Sequence, residues 1–203
     1  LRKSLGVVGI VLCFAVTAVG LVAYKVWRKQ GRLSASRNAT AHLELARHTA
    51  DRGWLLYKTG QFQQALAVLD SSTNLDPAFV DAWNYKGLTL KAMGREEDSR
   101  GAFEEALARC ERGLRRLPND ATGWGTKGMI LLNLGKYQEA VAAEDEAIRL
   151  NPMDPDCHAM KALVLANWGR RSDAEASARM ALDMKPDHPI AAAVLQSVQK
   201  PTP

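Results

Sequence analysis

The chain has 203 residues, 47% of them hydrophobic and 24% charged, the balance of one ordinary folded domain and not of a disordered chain. Its net charge is +5, but residues 1–37 hold seven basic side chains (Arg2, Lys3, Lys25, Arg28, Lys29, Arg32 and Arg37) and no acid, so the remainder has 27 − 7 = 20 basic against 22 acidic residues, a net of −2. The surplus charge therefore flanks an apolar segment, and the rest has no basic excess with which to hold the phosphates of a nucleic acid.

Leu5 to Tyr24 is an unbroken run without a charge. As a helix it is about 30 Å long, the thickness of a bilayer's hydrocarbon core. Tyr24, Lys25, Trp27, Arg28 and Lys29 follow it, aromatic and cationic side chains suited to the headgroup layer. The sequence predicts a membrane-spanning helix with its basic flank over 1–29 and lipid bilayer contact through 5–24. Lys25, Arg28, Lys29 and Arg32 outnumber Arg2 and Lys3, which places the following domain in the cytoplasm. A glycosylation acceptor, Asn38-Ala39-Thr40, points to the opposite, extracytoplasmic side. Gly6, Gly9, Cys13, Thr17 and Gly20 share one face of this helix. They form a helix-packing face, or reflect only how common Gly is in such helices. Residues 30–37 are polar and small and read as a linker.

From about residue 46 the chain repeats itself. Pro118, Pro152 and Pro186 recur at one interval, 152 − 118 = 186 − 152 = 34. Gly135 and Gly169 keep the same interval, as do Gly60 and Gly94. Trp83-x3-Gly87 returns as Trp124-x3-Gly128. Together with Leu90, Leu131, Tyr137, Ala140 and Ala147, these residues resemble the tetratricopeptide repeat, a helix–turn–helix unit. The resemblance implies an all-α fold, a right-handed superhelix (α-solenoid) of about four helix pairs over 38–200, preceded by the transmembrane helix. The repeats fall at about 46–79, 80–120, 121–154 and 155–188. Small residues mark close helix contacts, and Trp83 and Trp124 fill the space between helices. Gly94, Gly135 and Gly169 close the first helix of each pair in a left-handed conformation, and Pro77, Pro118, Pro152 and Pro186 stop the second. The fourth repeat has His158 where the second and third have Trp, and Ala162 where they have Gly.

Between Pro77 and Pro118 the interval is longer, 118 − 77 = 41, an excess of 41 − 34 = 7 over the repeat. That excess is two helical turns, so a lengthened second helix is expected over about Glu97 to Leu117. Its overhang carries Arg109, Arg112, Arg115 and Arg116, either as a docking projection or as a solvated face with Glu105 and Glu111 as partners. Ile190, Val194, Leu195 and Val198 form an apolar stripe that predicts a closing helix over 190–199.

In the family that the chain resembles, first helices of successive repeats line a concave groove. That places Trp54, Tyr57 and Lys58, then Asn84, Leu88 and Lys91, then Met129, Leu132 and Asn133, then Leu163, Ala166 and Asn167 on the lining. Ala50, Trp54 and Thr126 stand where some members carry a charged clamp for a partner's C-terminal carboxylate, so that clamp is absent. Trp54, Leu88, Met129 and Leu163 make a largely apolar strip for a protein partner; the first three have no packing role in the repeat pattern, and Trp54 is the expected anchor.

No phosphate loop, nucleophile elbow or zinc-protease motif is present, and Cys13, Cys110 and Cys157 have no metal-ligand spacing. The sequence therefore predicts no enzyme, no cofactor, no metal site and no small-molecule substrate. Two functions fit. One is a membrane-anchored adaptor that holds a protein partner in the groove. The other is a structural or assembly subunit of a larger membrane complex, held by its transmembrane helix and outer helix faces.

Overall fold

The computed structural model describes residues 28–29 and 40–199. The transmembrane segment, its Gly6, Gly9, Cys13, Thr17 and Gly20 face, the linker and the Asn38 acceptor all lie outside the described residues. Among the described residues, no helix is long and apolar enough to cross a membrane. The chain divides into a unit of residues 1–45 and a unit of residues 46–203. In the first, residues 28–29 and 40–45 are helical and exposed.

The second unit holds only helices among its described residues. They are α1 (residues 46–58 of a helical stretch that begins at 40), α2 (Phe62–Leu75), α3 (Val80–Ala92), α4 (Glu96–Arg116), α5 (Ala121–Asn133), α6 (Tyr137–Leu150), α7 (Pro155–Asn167), α8 (Arg171–Met184) and α9 (Pro189–Gln199). Helices α1 to α8 form four pairs and α9 closes the stack against α7 and α8. The second helices α2, α6 and α8 have 14 residues each, whereas α4 has 21. The surplus in the sequence is thus two added turns of α4.

The turn inside each pair is made the same way. Gly60, Gly94, Gly135 and Gly169 have φ of 77°, 72°, 73° and 82°, a conformation that only glycine adopts without strain. In the second pair the Gly94 amide donates to the Lys91 carbonyl at 3.0 Å and the Arg95 amide to the Leu90 carbonyl at 2.9 Å. These two bonds satisfy carbonyls that the end of α3 would otherwise leave open.

Two devices tie each repeat to the next. The Trp83 and Trp124 indoles donate to the Pro77 and Pro118 carbonyls at 3.1 and 2.9 Å. His158 makes the equivalent contact with the Pro152 carbonyl at 3.0 Å, so the residue that replaces Trp in the fourth repeat keeps its polar contact. Three lysines on first helices then reach acids on the preceding second helices: Lys86–Asp70 at 2.7 Å, Lys127–Glu111 at 3.1 Å and Lys161–Asp145 at 2.6 Å. The separation along the chain is the same each time, 86 − 70 = 127 − 111 = 161 − 145 = 16. Such partly exposed pairs contribute at most about 1 kcal/mol each, and they fix register more than they supply stability.

Inside each pair, a small residue on the first helix admits one side chain from the second. A Cβ on Gly53 would fall 2.6 Å from Leu69, and one on Gly87 would fall 2.5 Å from the Phe103 ring. In the fourth pair Ala162 and Ala178 are both buried. In the third, the side chain on Gly128 is Glu144, whose Oε1 lies 2.2 Å from where a Cβ would stand. Glu144 is 0% exposed.

The stripe expected on α9 is divided. Val194 is core, and Leu195 and Val198 pack against it, but Ile190 is 37% exposed. Ala191, 0% exposed, takes the buried place instead. A short helix on the end of a stack buries one narrow face, and Ile190 falls outside it.

Candidate partner-binding surface

The expected lining residues do not form one open strip. Trp54 stacks on Tyr57 (centroids 5.2 Å apart, planes at 13°) and on Tyr85 (4.9 Å, 19°), and Tyr57 meets Phe62 at 5.7 Å. Lys58 sits 5.8 Å from the Trp54 ring. The aromatic residues at this end satisfy one another, so Trp54 has a packing role that the repeat pattern did not reveal. Asn84 does not line an open groove at all. It is 1% exposed and accepts a hydrogen bond from Asn133 Nδ2 at 3.3 Å, which links α3 to α5. Leu88 packs against the Phe103 cluster and Leu132 against the Leu131 cluster. Met129 is half-buried and Lys91 exposed.

The open apolar surface lies at the other end. Leu163, Ala166 and Asn167 of α7 face Pro189, Ile190, Ala193 and Ser197 of α9 across a groove of about 590 Å³. Asn167 is exposed, and its Nδ2 donates to the Leu163 carbonyl at 2.8 Å. Sequence reasoning placed the α7 wall here but missed the α9 wall. The Ile190, Ala193, Ser197 spacing was a signal for it, since residues three and four apart share a helix face.

The α9 wall is held by His188. Its Nε2 lies 2.7 Å from Asp156 Oδ1 in the first turn of α7, and its Nδ1 accepts from the Ala191 amide at 3.3 Å. The ring therefore carries its proton on Nε2, caps the start of α9 and pins it to α7. It is 2% exposed.

A second recess, of about 310 Å³, lies under the α4 overhang, between Val80 and Asp81 of α3, Cys110, Arg112 and Leu114 of α4, and Thr122 of α5. Of the four arginines on the overhang, Arg109 is a structural residue paired with Glu105, as the solvated-face reading has it. It bonds the Pro77 carbonyl and the Glu105 carboxylate, and its guanidinium lies 4.4 Å over the Trp83 ring. Arg112, Arg115 and Arg116 are exposed. Burial holds the Asp81 carboxyl above its usual range, opposed by Arg47 and reinforced by Asp51.

Burial also pushes the Cys110 thiol up to about 11 and the Cys157 thiol up to about 12, so neither is a nucleophile near neutral pH. Among the described residues no group of three His, Cys, Asp or Glu side chains is placed to hold a metal.

An uncharacterized protein of Methanocaldococcus jannaschii is 30% identical over 67 residues, which cover 33% of this chain and 78% of that protein. A thermophilic TPR protein of Thermus thermophilus has a similar fold, with a TM-score of 0.56 and 22% identity over 75% of this chain and 80% of its own. Pseudomonas aeruginosa pilF is similar in fold at a TM-score of 0.57 and 19% identity, over 78% of this chain and 69% of its own. The model of the tetratricopeptide repeat family matches residues 50–111 and 91–155. Those matches span residues 50–155, more than half of the sequence, and cover Gly60, Gly94, Gly135, Trp83, Trp124 and most of the first three helix pairs: the chain belongs to the tetratricopeptide repeat family.

Proposed function

We propose that the repeats hold a protein partner through the groove between α7 and α9, and that residues 5–24 tether them to a membrane with the repeats in the cytoplasm. The observation that carries the first part is the exposed Ile190 across the groove from the half-buried Leu163. Ile190 is 37% exposed at the end of the stack, although the helix that carries it is otherwise used for closing the core. Large apolar side chains around a concave groove mark a binding surface, and a groove of about 590 Å³ takes a short apolar segment of a partner, helical or extended. Nothing in it presents the convergent acid, base or nucleophile that catalysis requires.

A second reading, an assembly subunit of a membrane complex, draws on the α4 overhang. Arg112, Arg115 and Arg116 stand exposed there beside Leu117, which is 66% exposed. Affinity capture from detergent-solubilised membranes separates the two. Ile190→Asp should lose the partner while the melting temperature holds, and Arg112→Ala with Arg116→Ala should keep it. The reverse result supports the assembly subunit and overturns the groove. The tether is tested by placing a cysteine at Gln199. It should resist a membrane-impermeant thiol reagent in intact cells, and ready labelling would reverse the orientation.

A further inference from the structure

Glu144 is a buried acid without a partner. It is 0% exposed, and neither carboxyl oxygen has a hydrogen-bond partner. The helices packed on α6 offer it nothing. From α5 it meets the bare backbones of Gly125 and Gly128, and the one ionisable side chain of that helix, Lys127, is bound to Glu111. On α7, Lys161 is bound to Asp145, Asp156 to His188, and His158 to the Pro152 carbonyl, while Cys157 stays a thiol. On α6 itself, Asp145 adds like charge, Glu146 is taken by Arg149, and Glu139 faces Lys136. Every cation within these three helices is paired elsewhere, Arg149 with Glu146.

We propose that Glu144 is a proton-operated latch: α5 and α6 pack as described only while its carboxyl carries a proton, and loss of that proton loosens the third repeat and its joint with α7. A neutral carboxyl fills the place that Leu69, Phe103 and Ala178 fill in the other repeats at modest cost. A carboxylate in the same place is an unpaired buried charge, which is far more costly. Burial, helped by Asp145, raises this group from an ordinary 4.5 to about 8. The sign follows. The folded state holds the proton more tightly than an opened one, so the stabilisation is complete below about 4.5 and is lost as pH rises to about 8. In a stack where each repeat touches only its neighbours, the effect stays local.

Hydrogen exchange on the full chain, corrected for intrinsic rates, tests the latch. Protection of the α5 and α6 amides should fall about tenfold per pH unit between pH 5.5 and 7.5, while that of α3 and α4 stays level. Glu144→Gln and Glu144→Leu should each abolish the slope, and the leucine already has a precedent in Leu69 against Gly53. A slope that survives both substitutions, or an equal loss in α3–α4, overturns the proposal.

Discussion

The second and third repeats share a frame and differ at its centre. Both bring a glycine on the first helix against one side chain on the second, both pin the preceding turn with an indole, and both are tied by a lysine–acid pair. In the second repeat the side chain on Gly87 is Phe103, 1% exposed. In the third it is Glu144, equally buried and without a partner. The same frame therefore accommodates fillers of different chemistry. Periodic caps and close approaches set the helix pair, and the filler sets how strongly and under which conditions it holds.

Removing each filler breaks the comparison most sharply. Phe103→Ala should cost about 3–5 kcal/mol in chemical denaturation. Glu144→Ala should cost far less, because it also removes an unsatisfied acid. Equal losses would mean that Glu144 has partners in solution.

The pH axis comes next. Stability of the unmodified protein should decline by at most about 1.4 kcal/mol per unit as pH rises from about 4.5 to about 8, the window of the raised Glu144 carboxyl. Glu144→Leu should flatten the curve and raise the melting midpoint at pH 8. A midpoint that is lower at pH 8 would show that the acid contributes a bond.

The glycines discriminate more finely. At Gly87 a methyl would meet ring carbons of Phe103 at 2.5, 2.6 and 2.9 Å, a rigid plane. At Gly128 the nearest atom is Glu144 Oε1, the far end of a flexible chain. Gly87→Ala should therefore destabilise by about 1–3 kcal/mol, and Gly128→Ala by less, as the carboxyl swings aside. The smallest effect tests what the repeats share. Trp83→Phe and Trp124→Phe each remove one hydrogen bond to a proline carbonyl and should cost about 0.5–1.5 kcal/mol alike. A clear difference between them would place the contrast between the repeats outside the joint.

Much of this was legible in the sequence, for identifiable reasons. The positions of Gly94, Gly135 and Gly169 required a left-handed turn, and the proline spacing measured the helix pairs. The surplus before Pro118 equals two helical turns, and its sequence keeps a helical pattern. These are local demands of the backbone, so they appear in the chain as fixed residues at fixed intervals. The lengthened helix is expected over about Glu97 to Leu117 and lies at Glu96–Arg116, a shift of one position.

The surface was less legible, because exposure depends on neighbours that are distant in sequence. Trp54 is drawn into a stack by Tyr85 on the next repeat. Asn84 is covered and bonded by Asn133, 49 residues away. Ile190 is left open because the end of the stack offers α9 only α7 and α8 to lie on. The amino-acid sequence by itself determined the repeat, its caps, its two-turn insertion and the absence of a basic excess in the repeats, since each follows from backbone geometry or from counting charges. Only the tertiary structure decided which apolar residues stay open and that Glu144 is sealed against Gly128 without a partner. Burial belongs to the packed assembly of helices, and no single helix carries it.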